Sequence, residues 1–192
     1  MEVILLRHGA TEGNAQRRYI GRTDEPLSDA GLTALQALPP LPQLRRVFVT
    51  PLLRTQQTAA VLFPKAVQTI VTDLREMDFG DFEGRNADEL AHSAAYRRWV
   101  EGGCIAPTPN GETRQDFSRR CCEAFQATLR TIAEDGEPTG VFVLHGGSIM
   151  AILERFAQPQ REFYAYQVPN GGGFQCEAAC IEPLVLRAVR RI

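Results

Sequence analysis

The chain has 192 residues, enough for one domain with a substantial core. Its 44% hydrophobic and 23% charged content is ordinary for a globular protein, and a formal net charge of -2 gives no electrostatic pull towards nucleic acid or an anionic membrane. No apolar stretch approaches the ~20 residues that cross a bilayer, and no basic segment precedes the first strand, so neither a membrane span nor a signal peptide is expected.

Cysteine and lysine usage narrow the reading further. The five cysteines (Cys104, Cys121, Cys122, Cys176 and Cys180) are odd in number and lack zinc-ribbon spacing. With no export signal this points to reduced thiols in the cytoplasm, packed in the interior. Lysine occurs only at Lys65. An arginine is therefore common currency in this chain, and only its setting makes it informative.

The first predicted element is a buried strand, Val3-Ile4-Leu5-Leu6, running out at Arg7-His8-Gly9. A polar loop follows to about Leu27. Ser28 then reads as an N-cap for a helix through about Leu38, stopped by Pro39-Pro40-Leu41-Pro42. Val47-Phe48-Val49 is the next strand, running into Thr50-Pro51, an N-cap with proline at the first helical position. Its helix ends near Pro64, and residues 67–71 read as another strand.

Plain alternation then breaks. Residues 74–112 hold a carboxylate cluster, a helix around 88–100 and the turn-rich Ala106-Pro107-Thr108-Pro109-Asn110-Gly111. This reads as an insertion near the site within one domain spanning 1–192, too short for a core of its own. Thr113 with Asp116 resembles a capping box that opens a helix to about Glu134. The strand Val141-Phe142-Val143-Leu144 runs out at His145-Gly146-Gly147, and a helix spans 147–156. Stretches at 163–168, 173–181 and 183–189 read as strands. The alternation predicts an α/β sheet with helices on its faces.

Two of the three histidines thus end buried strands, each followed at once by glycine, with Arg7 beside one of them. In open α/β sheets ligands bind outside the carboxyl ends of the strands. If the strands are neighbours, Arg7-His8, Thr50 to Arg54 and His145-Gly146 meet at one edge, with free N–H groups of helix starts. Such an edge suits a phosphate. Arg54 falls in the first turn of its helix, where a cation is disfavoured by roughly 0.3–1 kcal/mol. Either an anion sits there or the side chain points into solvent. A strand-end histidine can also be a core residue satisfied by a carbonyl; two such sites favour chemistry. A neutral imidazole is a competent nucleophile near pH 7. Composition does not choose a proton donor among Asp73, Glu76, Asp78, Asp81 and Glu83.

The segment Leu6-Arg7-His8-Gly9-Ala10-Thr11-Glu12-Gly13-Asn14 resembles the RHG signature of the histidine phosphatase superfamily, whose best-known members are cofactor-dependent phosphoglycerate mutases. Pro26-Leu27-Ser28-Asp29-Ala30-Gly31, Thr50-Pro51-Leu52-Leu53-Arg54-Thr55, Leu74-Arg75-Glu76-Met77-Asp78-Phe79-Gly80 and His145-Gly146-Gly147 resemble its further motifs in order and spacing. The resemblance implies a phosphoglycerate mutase-like three-layer sandwich, with a mostly parallel sheet and helices on both faces. It implies His8 as the phosphorylated nucleophile, with Arg7, Arg54 and His145 on the phosphoryl oxygens. Asn14 and the Gly146 N–H would help, and Thr11 and Gly21 belong to the same phosphate-binding set. Glu76 would give a proton to the leaving alkoxide and take one from the attacking water. No metal and no cofactor is implied. The chain departs from common usage at Thr50 for serine, Thr55 for alanine and Met150 for arginine, the last bearing on substrate contacts.

The short chain and brief insertion favour hydrolysis over mutase activity. The stretch from Tyr96-Arg97-Arg98-Trp99 through Asn110-Gly111-Glu112-Thr113 to Phe117-Ser118-Arg119-Arg120 resembles α-ribazole phosphatases, which remove a 5′-phosphate in assembly of the cobalamin lower ligand. Phe82, Tyr96 and Trp99 either stack on a base-like ring or pack the insertion onto the sheet. The expectation is a hydrolase acting on a small phosphate monoester, as a monomer or homodimer in the cytoplasm. The alternatives are a phosphoglycerate mutase-type enzyme and a non-catalytic phospho-ligand binding module.

Overall fold

The computed structural model describes residues 1–39 and 44–192. One six-stranded sheet runs through it: β1 (Glu2–Arg7), β2 (Arg46–Val49), β3 (Val67–Ile70), β4 (Thr139–Leu144), β5 (Gly173–Ile181) and β6 (Leu184–Arg191). Their order across the sheet is β3-β2-β4-β1-β5-β6. The first four are mutually parallel, while β5 and β6 form an antiparallel hairpin on the far side of β1.

The period of two in the central strands splits the core into two layers. Val3, Leu5, Phe142 and Leu144 point to one face, against Phe117, Phe125 and Leu129 of α6 (Arg114–Glu134) and Ile149 and Ile152 of α7 (Gly146–Phe156). Leu6, Val47, Val49, Val141 and Val143 point to the other, against Ala59 and Phe63 of the α3 region (Leu53–Leu62). Helices therefore cover both faces, and each buried aliphatic or aromatic side chain stabilises the sandwich by about 1.5–3 kcal/mol. The short α1 (Glu12–Ala15) follows β1, and α2 (Asp29–Gln36) packs on α3. No helix among the described residues is long and apolar enough to cross a membrane.

Several boundaries differ from the sequence reading. Ser28 does cap α2, accepting from Gly31 N at 3.1 Å, but the Pro40–Pro42 stop lies outside the described residues. Thr50 does not cap α3: the helix starts two residues after Pro51, and Thr50 Oγ1 pairs instead with Thr55 and His145. The helix expected at 88–100 is two, α4 (Ala87–Leu90) and α5 (Ala94–Glu101), because Asn86 and Ser93 each cap a separate start. Residues 163–166 form a 3₁₀ turn, not a strand; Phe163 and Tyr166 are buried at a spacing of three, the period of that helix. The insertion has a small cluster of its own, Phe82, Leu90, Tyr96 and Trp99, against Tyr19. Of the five free cysteines, Cys121, Cys122 and Cys176 are buried, Cys104 is half-buried and Cys180 is exposed, contrary to the expectation of interior packing for all.

Candidate active site

The register of β1 and β4 brings the two strand-end histidines together. Arg7 lies opposite Leu144 in the parallel ladder, so His8 and His145 each sit one residue beyond it. The ring centroids are 5.2 Å apart and the planes are inclined at 63°. On the other side of β4, β2 delivers Thr50 and, through α3, Arg54. The three junctions therefore share one edge.

Hydrogen bonds fix the chemistry of both rings. His8 Nδ1 lies 2.7 Å from the Gly9 carbonyl. A carbonyl only accepts, so Nδ1 carries the proton and Nε2 keeps its lone pair. His145 Nδ1 accepts from Arg54 Nε at 3.3 Å, which places its proton on Nε2, donated to Thr50 Oγ1 at 3.0 Å. Burial and then the Arg54 charge hold both imidazoles well below their ordinary pKa. Both are neutral at pH 7.

Arg54 is fully buried, not solvated. Beyond His145, its Nη1 donates to the Thr23 carbonyl and its Nη2 to the Gly21 carbonyl, each at 2.7 Å. The turn bearing those carbonyls is held by one carboxylate. Glu83 accepts from the N–H groups of Gly21, Arg22 and Thr23, from Thr23 Oγ1 at 2.7 Å, and from Phe79 N at 3.0 Å. Gly21 therefore spends its N–H on the Glu83 carboxylate and its carbonyl on Arg54, with neither group left for a phosphate. A side chain there would collide with the Met77 carbonyl, 1.8 Å from an ideal Cβ.

A cavity of about 760 Å³ opens over this edge. Arg7, His8, Asn14, Glu76, Gly146 and Gly147 line it, while Arg54 and His145 are fully buried. Arg7 Nη1 donates to the Val168 carbonyl at 2.8 Å. Its buried Nε has no acceptor among the described residues, and lies beside Gly146. The Gly146 N–H, first in α7, has no intrahelical acceptor either. These two unspent donors beside His8 are what a phosphate oxygen needs. Asn14 Oδ1 accepts from Thr11 N at 3.3 Å and from Asn170 Nδ2 at 3.0 Å, leaving its Nδ2 available to an anion. Thr11 is fully buried, its hydroxyl capping α1 by accepting from Asn14 N. It shapes the site from outside the cavity wall.

Of the five carboxylates around 73–83, Glu76 alone lines the cavity. Asp73 pairs with Arg75, Asp78 with Arg22, and Asp81 accepts from Asn110. Glu76 Oε1 accepts from Met77 N and Oε2 from Gly147 N, each at 2.9 Å. Burial raises its pKa, against the opposing pull of those two bonds and of Arg54 and Arg7. The outer wall is largely aromatic and apolar: Tyr19, Phe79, Trp99, Phe163, Tyr164 and Met150. Trp99 reaches both this wall and the insertion cluster, whereas Phe82 and Tyr96 only pack. Among the described residues no group of three or more His, Cys, Asp or Glu is placed to hold a metal ion.

The sequence reading missed the loop that clasps β1. Asn170 Nδ2 also donates to the His8 carbonyl at 3.1 Å, and Gly171 N donates to the Arg7 carbonyl at 3.1 Å. The signal was the Pro169-Asn170-Gly171-Gly172-Gly173 run ahead of β5, whose strand partner is β1.

The model of the Histidine phosphatase superfamily (branch 1) matches residues 3–177. Among curated proteins, one named "Probable phosphoglycerate mutase GpmB" from Yersinia pestis is 33% identical over 162 residues, covering 80% of this chain and 73% of that protein. One of the same name from Cronobacter sakazakii is 33% identical over 138 residues, 67% of this chain; the match spans 63% of that protein's length. Among solved structures, the α-ribazole phosphatase from Shigella flexneri superposes with a TM-score of 0.82 at 25% identity, covering 98% of this chain and 96% of that one.

Proposed function

The chain belongs to branch 1 of the histidine phosphatase superfamily, and on that premise we propose that it is a metal-independent phosphomonoesterase working through a phosphohistidine at His8. The observation that carries the proposal is the neutral His8, with its proton committed to the Gly9 carbonyl and its Nε2 lone pair free in a cavity shared with Arg7, Asn14 and Glu76. In the first step Nε2 attacks phosphorus, the P–N bond forms and the P–O bond to the alcohol breaks. Protonated Glu76 supplies the proton to the leaving alkoxide. In the second step water attacks the phosphohistidine, Glu76 takes its proton, and inorganic phosphate leaves with His8 restored. Arg7, Asn14 and the Gly146 N–H neutralise and orient the phosphoryl oxygens. Arg54 adds positive charge close to His8, and the neutral His145 packs its ring against that of His8. A bound dianion further disfavours ionisation of Glu76, which keeps the acid protonated when it is needed.

The proposed substrate is a small phosphate monoester with α-ribazole 5′-phosphate as the first candidate, supported by the likeness to the Shigella flexneri α-ribazole phosphatase over nearly the whole chain. The proposal includes a cytoplasmic setting, favoured by five unpaired cysteines. A phosphoglycerate mutase-type reaction is the second reading, favoured by the curated relatives of that name. Assays on α-ribazole 5′-phosphate and on 3-phosphoglycerate, with and without 2,3-bisphosphoglycerate, separate them. Release of inorganic phosphate, unaffected by EDTA, supports the phosphatase; formation of 2-phosphoglycerate supports the mutase.

A further inference from the structure

Arg120 sits on α6 and is not among the residues lining the cavity. Its guanidinium carries five N–H donors, and every one has an acceptor. Nε and Nη2 fork onto Glu112 Oε1 and Oε2, each at 2.7 Å. Nη2 also donates to the Glu76 carbonyl, and Nη1 to the carbonyls of Asp73 and Arg75, each at 2.9 Å. Glu112 closes the ring: its Oε2 accepts from Asp78 N and its own N–H donates to the Asp78 carbonyl, each at 2.9 Å. The pair is largely buried, with side-chain exposures of 14% for Arg120 and 21% for Glu112.

The segment these two residues grip has no sheet partner. β3 ends at Ile70, and after a 3₁₀ turn at Thr72–Leu74 the chain runs without regular structure to Gly80. Further side-chain support comes from Ser148, whose Oγ donates to the Leu74 carbonyl at 2.9 Å, and from longer contacts of Cys121 Sγ with the Arg75 carbonyl and Thr108 Oγ1 with the Asp78 carbonyl. Without the fork, the Asp73 and Glu76 carbonyls would lose their donor, and the Arg75 carbonyl would keep only the longer contacts from Ser148 and Cys121.

We propose that Arg120, braced by Glu112, is a positioning residue for proton transfer, clamping the backbone of residues 73–78 so that the Glu76 carboxyl meets the leaving oxygen. The proposal rests on the reading of Glu76 as general acid. The planar fork matters as much as the charge, because an ammonium presents no two parallel donors to a carboxylate. A misplacement of about 1 Å in such a group can cost on the order of 100-fold in rate.

The test compares p-nitrophenyl phosphate with phenyl phosphate, two esters of similar shape whose leaving groups differ in their need for a proton. Glu76→Gln is the reference and loses far more kcat on phenyl phosphate. Arg120→Lys is expected to lose at least about tenfold more kcat on phenyl phosphate than on p-nitrophenyl phosphate, with KM little changed. Glu112→Gln shows the same selectivity at smaller size, and carries the test alone if Arg120→Lys does not fold. Glu76→Gln combined with either change loses nothing further on phenyl phosphate. Equal losses on the two esters in both variants, while Glu76→Gln still discriminates, overturn the clamp and leave the general acid standing. Equal losses in Glu76→Gln itself overturn the general acid, and the clamp with it.

Discussion

Arg54 donates from Nε to His145 Nδ1 across 3.3 Å, and both side chains are fully buried. This one bond sets the tautomer of the second histidine and ties the sheet edge at β4 to the turn at 21–23 that Arg54 also holds. Charge alone does not explain the arrangement, since each nitrogen of the guanidinium has its own acceptor.

Arg54→Lys therefore keeps the charge and loses the fork. It leaves the Gly21 carbonyl, the Thr23 carbonyl and His145 Nδ1 competing for one ammonium, and should destabilise the fold by about 2–4 kcal/mol. Glu83→Gln should move stability in the same direction, because it turns an amide donor towards the N–H groups of the same turn. Urea unfolding at neutral pH measures both. Values within about 0.5 kcal/mol of the parent would mean that the turn does not depend on them.

Gly147 has no room for a side chain. An ideal Cβ there lies 2.2 Å from Glu76 Oε1, whereas at Gly146 the nearest atom is Arg7 Nε at 3.5 Å, an ordinary contact. Gly147→Ala should displace the carboxyl and cut kcat on phenyl phosphate by about 100-fold, with a smaller loss on p-nitrophenyl phosphate. An unchanged ratio of the two would show that the carboxyl accommodates the methyl group.

Stability should fall in mild acid. His8 and His145 titrate well below the ordinary imidazole range in the native protein, through burial and then the Arg54 charge. Below about pH 6.5 the unfolded chain takes up protons that the native rings refuse, so each ring removes up to about 1.4 kcal/mol per pH unit as pH falls. Glu76 works the other way. Its raised value means the native state holds a proton that the unfolded chain has released, a contribution present at low pH and lost as pH rises through the native value. Two imidazoles outweigh one carboxyl. Thermal unfolding from pH 7.5 to 5.5 should show a falling midpoint, and His8→Asn should flatten the slope by about half or more, since Glu76 then opposes a single ring. An identical slope in the variant would mean that His8 titrates normally.

How far the sequence speaks depends on the range of each interaction. His8 and His145 were legible because a buried strand announces itself in a few consecutive residues, and its end fixes where the next side chain falls. That β1 and β4 are neighbours was not, since strand order is decided by packing across the 131 residues of chain between the end of β1 at Arg7 and the start of β4 at Thr139. Composition could not single out Glu76 from four nearby carboxylates; the path of an irregular loop distinguishes them, and that path is set by Arg120 and Glu112 from a distant helix start. Arg54 was ambiguous for the same reason, because a helix-start arginine looks alike in solvent and in a cage of carbonyls. Thr50 misled because its hydroxyl is taken by His145, a tertiary partner, before it can cap the helix.

The account turns on a covalent intermediate. Protein mixed with excess phosphate monoester, quenched in alkali where a phosphohistidine survives, and digested for mass spectrometry should carry one phosphoryl group on the peptide containing His8. His8→Ala should carry none and should not release phosphate. Phosphate release by His8→Ala, or a phosphoryl group located on any other residue of the turning-over protein, would contradict it.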